Sequence, residues 1–331
     1  MNTRLERITE ESLALGAELI KSGELVAFPT ETVYGLGADA LNGQAVKKIF
    51  AAKGRPGDNP LIVHVASKEQ MMSLGYWNDN AEKVFNAFMP GPITMVLKRK
   101  MVPDEVTAGL DSVGLRYPEH PDAQRFISLA GPIAAPSANI SGKPSPTSAQ
   151  HVFDDFNGKI PLVLDGGECG VGVESTVISL VEAPILLRPG GVTLEQLVRV
   201  LPDITVHDAV LANVKLDAAA SPGMKYKHYA PIARVVIAKN GEGLYRSALE
   251  KGVKVVYYRK QDDVTDARNL FARLRRADED GLQLVIFEMP NKEGIGLSVA
   301  NRLLRASAFT VIEKGEVFSL LLGGDTVELQ G

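Results

Sequence analysis

The residues best suited to chemistry fall in five short segments, most of them at the end of an apolar run. The first is Pro29-Thr-Glu-Thr-Val-Tyr-Gly-Leu-Gly37, directly after Leu25-Val-Ala-Phe28. Hydroxyls and amides where a strand ends can hold a carboxylate or phosphate, although the same composition also makes a capped turn. The second is Lys53-Gly-Arg-Pro-Gly-Asp-Asn-Pro60. Cations often close helices for dipole reasons alone, but two prolines and two glycines fix the backbone around this pair. A fixed Lys–Arg pair suits an anion, the arginine by planar bidentate contact and the lysine as a compact charge. The third is Gly114-Leu-Arg-Tyr-Pro-Glu-His120, where Arg116 ends a strand and needs either an anionic ligand or a buried acidic partner. The fourth, Ala135-Pro-Ser-Ala-Asn-Ile-Ser-Gly142, runs on to Lys143-Pro-Ser-Pro-Thr147 and is rich in small polar residues. The fifth pairs Glu174-Ser-Thr176 with Arg188-Pro-Gly-Gly191. His64, in the apolar run 61–65, reads equally as a core histidine. Cys169 has no base near it in sequence, and no P-loop, GxGxxG, HExxH or nucleophile-elbow pattern occurs. Thr30–His64 thus reads as the floor of an anion-binding pocket.

The elements that must position these segments follow from periodicity. Residues 10–22 form an amphipathic helix, with Thr9 as N-cap and Gly23 as stop. Further helices are expected over 44–53, 80–89, 121–129 and 193–200. Strands are expected at 25–28, 61–65, 93–97, 113–116 and 133–135, with a hairpin from 177–180 and 185–187. This mixture predicts an α/β (α+β) domain around a twisted mixed sheet over residues 1–205. After residue 233 the pattern becomes regular: strands at 235–238, 253–257 and 282–287 alternate with helices near 243–251, 266–277 and 297–307. That repetition predicts a small Rossmann-like parallel domain over 234–331. Between them, 206–233 reads as a linker of 28 residues. Connections of that length are often functional lids or disordered; the segment reads as a lid over the pocket or as a proline-stiffened spacer, and Tyr226, His228 and Tyr229 are poor choices for a solvated tether.

Composition narrows the class. Hydrophobic residues make up 45% of the 331 and charged residues 23%, an ordinary globular balance. One cysteine excludes an intramolecular disulfide and a cysteine-rich zinc site, and favours a reducing compartment. No window reaches the roughly 18 apolar residues of a membrane span, so a cytoplasmic location away from membranes is expected. The net charge is −4 overall and −6 over residues 1–205, with 18 Lys+Arg against 24 Asp+Glu. Stable binding to duplex nucleic acid through phosphate contacts is not expected from that balance.

Taken together, Thr-Glu-Thr-Val-Tyr-Gly-Leu (30–36), Lys53-Gly-Arg55, Asn59-Pro-Leu61, Arg116-Tyr-Pro118, Pro136-Ser-Ala-Asn139, Glu174-Ser-Thr176 and Arg188-Pro-Gly190 resemble the YrdC-type threonylcarbamoyl-AMP synthase family. Ser221-Pro-Gly-Met224 and His228-Tyr-Ala-Pro231 resemble the linker of its long, two-domain form. The resemblance implies a nucleotidyltransferase that makes L-threonylcarbamoyladenylate and pyrophosphate from L-threonine, bicarbonate or CO2, and ATP. It implies Mg²⁺ with the ATP, and delivery of the product to a tRNA threonylcarbamoyl transferase complex that modifies the adenosine beside the anticodon. By the same resemblance Thr32, His64, Arg116 and Ser175 line the threonine site. Lys53, Arg55 and Arg188 carry the charge stabilisation, and Asn59, Ser137, Asn139, Thr147 and Tyr229 complete the ATP site. No residue is implied as a metal ligand, and the choice between Tyr226 and Tyr229 over the nucleotide stays open.

Three rival readings stand beside it. One is a double-stranded RNA or tRNA binder without catalysis, which the negative charge of residues 1–205 weakens. Another is a larger carbamoyl-transfer maturation enzyme, whose zinc-finger cysteines this chain lacks. The third gives the C-terminal domain its own activity, on the weak phosphate-loop signal of Asn240-Gly-Glu-Gly243.

Overall fold

The computed structural model describes residues 2–210 and 229–312, together with the backbone of strands Phe318–Leu322 and Asp325–Leu329. Eleven strands form one mixed sheet drawn from Arg4 to Val206. Its order is Arg4–Arg7, Leu162–Asp165, Val26–Phe28, Gly35–Asp39, Ile133–Ala135, Ile62–His64, Ser112–Arg116, Ile93–Lys98, Thr176–Ser179, Ile185–Arg188 and Thr205–Val206. A second sheet is wholly parallel, in the order Val255–Tyr258, Leu284–Glu288, Arg234–Ala238, Val311–Ile312. The mixed and parallel sheets are the two expected from the periodicity.

Local chemistry sets the elements that reach the site. Helix Glu10–Lys21 starts at a capping box, in which the Thr9 hydroxyl accepts from the Ser12 amide and Ser12 Oγ accepts from the Thr9 amide. Helix Gly43–Lys53 is capped by Asn42, whose Oδ1 accepts from the Gln44 and Ala45 amides. It stops at Gly54, whose φ of 61° is left-handed and suits a residue without Cβ. The stop leaves Lys53 in the last turn with its side chain buried. Strands Ile62–His64 and Ser112–Arg116 run parallel, and their register puts His64 opposite Arg116 at the carboxyl ends of both. Strands Ile93–Lys98 and Thr176–Ser179 are likewise parallel.

The sequence reading differs from the structure in several places. Gly35–Asp39, absent from the expected strands, is a strand pairing antiparallel with Val26–Phe28; two glycines in five residues dilute the strand signal. Strands Arg4–Arg7 and Leu162–Asp165, and helices Lys68–Leu74 and Ala149–Phe156, are further elements, too short for periodicity to carry. Of the supposed linker, 206–210 and 229–233 lie within the described residues. Ser221–Met224, Tyr226 and His228 lie outside them.

Polar contacts join the two sheets' domains. Arg275, on helix Asp263–Glu279, donates to the Pro144 carbonyl at 2.7 Å and pairs with Asp155 at 2.9 Å. Asp155 also accepts from the Ile140 amide and pairs with Lys143, so one buried carboxylate ties Arg275 to the 140–144 loop.

Candidate active site

The loops at these strand ends enclose an open cleft of about 730 Å³, within the size range of small-molecule sites. Nine of the twelve residues singled out in the sequence line it: Lys53, Arg55 and Arg188; His64, Arg116 and Ser175; Ser137, Asn139 and Tyr229. Thr32, Asn59 and Thr147 are buried behind its surface.

The cations are held in different ways. Lys53 Nζ donates to the carbonyls of Ser137 and Asn139, each at 2.5 Å. The cation therefore folds the 137–139 loop while it faces the cleft. Burial, with Arg55 nearby, pulls the Lys53 amine well below its ordinary range. Arg188 donates through Nε and Nη2 to the Ser175 carbonyl, at 3.2 and 2.9 Å, and Nη2 reaches the Ser175 hydroxyl at 3.3 Å. Ser175 Oγ also lies 2.8 Å from Thr94 Oγ1. Arg116 pairs with Glu31 at 2.7 Å, so its buried acidic partner exists and the arginine still lines the cleft.

The uncharged groups divide similarly. His64 is buried, and desolvation together with the Arg116 charge lowers its imidazole to about 3. It is neutral at physiological pH, and its Nδ1 finds no partner among the described residues. Thr32 Oγ1 sits 2.9 Å from Thr30 Oγ1, inside the turn. The Asn59 amide is wholly buried with neither Oδ1 nor Nδ2 bonded among the described residues, an arrangement that costs energy until a ligand or water completes it. Asn139 is spent on the loop: Oδ1 accepts from Ser137 Oγ at 2.6 Å, and Nδ2 donates to the carbonyls of Ile140 and Lys143. Thr147 contributes backbone, donating to His151 Nδ1 and accepting from the Cys169 amide. Burial pushes the Cys169 thiol up to about 12, so it offers no thiolate near neutral pH.

Tyr229 enters from the far side of the linker. Its φ of 65° is left-handed, and its ring packs 5.3 Å from that of Phe271. The next residue, Ala230, donates its amide to the Gly142 carbonyl at 3.0 Å, tying the linker's end to the 137–147 loop. Sequence reasoning did not single out Glu31 or Glu174 as functional, although both flank residues that were. Glu174 lines the cleft, with one oxygen 2.5 Å from Ser145 Oγ and the other 3.0 Å from Arg302 Nε. Glu31 had a signal, since a buried Arg116 demanded an acid. The stretch holding Arg302 reads only as an ordinary helix.

The geometry is that of an anion cradle. The guanidiniums and the Lys53 amine converge on one cleft, Lys53 and Arg188 held by backbone carbonyls and Arg116 by Glu31, which preorganises donors where reorganisation would be costly.

Residues 18–190 match the family model described as telomere recombination, that of the Sua5, YciO and YrdC proteins, and residues 192–308 match the C-terminal domain of threonylcarbamoyl-AMP synthase. The chain is 48% identical to the threonylcarbamoyl-AMP synthase of Pyrococcus abyssi, over 93% of this chain and 97% of that protein. It is 43% identical to the Bacillus subtilis protein of the same name, over 92% and 95%. The crystal structure of Pyrococcus abyssi Sua5 complexed with L-threonine is similar with a TM-score of 0.90 and 46% identity, covering 95% of this chain and 99% of that one. On these grounds the chain belongs to the threonylcarbamoyl-AMP synthase family, enzymes of the nucleotidyltransferase type, in the form that carries the C-terminal domain.

Proposed function

We propose that this chain forms L-threonylcarbamoyladenylate and pyrophosphate from L-threonine, bicarbonate or CO2, and ATP. The observation that carries the proposal is the meeting of Lys53, Arg55 and Arg188 with Arg116 and His64 in one cleft. A polyphosphate and an amino-acid carboxylate are both anions, and the cleft has a separate cationic group for each.

In the proposed reaction the free amine of threonine attacks CO2 and loses a proton, giving a carbamate. A carbamate oxygen then attacks the α-phosphorus of ATP, and the bond to the β-phosphate oxygen breaks to release pyrophosphate. Arg116 holds the threonine carboxylate by the bidentate geometry that guanidinium allows. Neutral His64, with Thr32 and Ser175, shapes the amino-acid end. Lys53, Arg55 and Arg188 stabilise charge on the phosphate oxygens, so positioning and electrostatics do most of the work. Asn59 supplies an unsatisfied donor and acceptor, Ser137, Asn139 and Thr147 fix the loop at the nucleotide, and Tyr229 closes over it. Mg²⁺ enters as part of the ATP substrate and neutralises its phosphates. Glu174 is committed to Arg302 and Ser145, which supports keeping the ion on the phosphates.

We further propose that residues 1–205 are the catalytic domain, 206–233 the linker and lid, and 234–331 the C-terminal domain. The product passes to a tRNA threonylcarbamoyl transferase complex in the cytoplasm. A single, buried cysteine suits a reducing compartment, and no described helix is long and apolar enough to cross a membrane. The net −6 of residues 1–205 disfavours stable duplex binding.

The test is pyrophosphate release by the purified chain with ATP, Mg²⁺, bicarbonate and L-threonine, each omitted in turn. Release should need all four. Release indifferent to threonine overturns the reading, and salt-sensitive tRNA binding without turnover favours the RNA-binding alternative.

A further inference from the structure

Helix Gly296–Ala306 of the C-terminal domain carries Ser298, Asn301, Arg302 and Arg305 at i, i+3, i+4 and i+7, on one face. All four donate to backbone carbonyls of the catalytic domain or of the chain leaving it. Ser298 reaches Gly190 at 2.9 Å and Arg305 reaches Ala209 at 2.9 Å, while Asn301 reaches Val210 and Arg302 Nη1 reaches Pro189.

Arg302 does more than dock. It is fully buried, and its Nε pairs with Glu174 Oε2 at 3.0 Å, that carboxylate being only 8% exposed. Its guanidinium carbon lies 6.0 Å from the centre of the Tyr229 ring. It therefore touches the wall segment before Ser175, the segment after Arg188, and the linker's end. Burial pushes the Glu174 carboxyl up, but the Arg302 and Arg188 guanidiniums and the Ser145 hydroxyl outweigh it and hold it below the usual carboxylate range. Glu174 is thus an anion in the wall of a cleft that has to take a polyanion. Uncovered, it repels phosphate across a poorly screened distance.

We infer that Arg302 is the positioning residue through which the C-terminal domain acts on nucleotide binding: it neutralises Glu174 and fixes the wall segments that bear Ser175 and Arg188. The inference rests on the proposed ATP site. It gives the second domain a task in this reaction without assigning it an activity of its own. Removing the domain's arginine would penalise the anionic substrate through charge, which loss of packing alone would not do.

The experiment uses the full chain and measures MgATP affinity by calorimetry beside threonine-dependent pyrophosphate release, with folding checked by circular dichroism. Arg302→Met should weaken MgATP binding by about tenfold or more. Glu174→Gln should not weaken it, and Glu174→Gln added to Arg302→Met should recover most of the loss. Rescue by removing the opposing charge is the outcome a purely structural role does not produce. Unchanged affinity in Arg302→Met, or no rescue in the double variant, overturns the inference. Should Arg302→Met not fold, Arg302→Lys decides. It keeps the positive charge beside Glu174 but loses the planar fork that also reaches Pro189, so it should bind MgATP at least about threefold more tightly than the neutral Arg302→Gln; equal losses in the two, or a tenfold loss in Glu174→Gln, overturn the inference. Threonine-independent pyrophosphate release by the parent chain would sink the proposed reaction, while the ranking of MgATP affinities would still judge Arg302.

Discussion

Arg116 donates to Glu31 across 2.7 Å with the two side chains only 5% and 11% exposed, and the neighbouring Arg116 Nε is buried without a partner among the described residues. The acid anchors the guanidinium through Nη2, and the unsatisfied Nε awaits a second acceptor. A threonine carboxylate supplies one. Arg116→Lys keeps the positive charge but loses the planar fork. It should raise the KM for threonine by about tenfold or more while leaving the KM for ATP nearly unchanged, as read by steady-state pyrophosphate release. A shift of both constants together would place Arg116 on the nucleotide instead.

His64 makes stability depend on pH in a known direction. Its pKa is 6.5 in the unfolded chain and about 3 when folded, because burial and the Arg116 charge disfavour the imidazolium. Between those values the unfolded state binds the extra proton. The neutral ring's contribution is complete above pH 6.5 and declines as pH falls toward 3. From pH 7 to pH 5 the chain should lose about 1–2 kcal/mol on this account. His64→Gln should lose that much less over the same interval, measured by urea denaturation. His151, lowered to about 4 mainly by its own burial, titrates in both proteins, so the difference isolates His64.

Gly190 sits where no side chain fits. A Cβ there would lie 2.1 Å from the Thr176 amide nitrogen and 2.4 Å from the Glu174 carbonyl oxygen. Both obstacles are backbone, so neither can swing away. Gly190→Ala should destabilise the fold by about 1–3 kcal/mol or more and cut turnover, since the displaced segment carries Ser175. Thermal melts and pyrophosphate assays on the same sample test both parts. Normal turnover at reduced stability would mean the Ser175 segment does not need its present place.

The cleft residues were readable because strand ends are readable. An apolar run that stops at His64 or Arg116 announces both the strand and the loop face, and rigid turns after Lys53 and Arg188 mark where backbone is fixed. Asn139 lines the cleft and Thr147 does not, and the polar groups of both mainly shape the loop. Gly35–Asp39 escaped because its glycines hide a strand. The Ser298, Asn301, Arg302, Arg305 stripe escaped for another reason. Polar residues at helical spacing read as a solvated face, and only the folded chain reveals that this face meets carbonyls and Glu174. Burial of a polar stripe is a long-range fact, and local periodicity carries no trace of it.

Tyr229 gives the sharpest test of the linker's role. Its backbone is left-handed at φ 65°, a conformation costing about 1–2 kcal/mol for a residue with Cβ. The ring's contact with Phe271 and its place beside Arg302 offset that cost. A spacer would have no use for a strained aromatic residue in the cleft wall. Burial also raises the Tyr229 phenol above its ordinary range, so the hydroxyl stays protonated and can donate to a phosphate oxygen. Tyr229→Gly removes the ring while suiting the backbone, and Tyr229→Phe keeps the ring while removing the donor. If closure over the nucleotide is the function, Tyr229→Gly should lower adenylate formation by about tenfold or more, and Tyr229→Phe by less. Both should melt within a few degrees of the parent. Equal activity in parent and Tyr229→Gly, by pyrophosphate release at saturating ATP and at a tenth of its KM, would show that the ring is only packing between the domains.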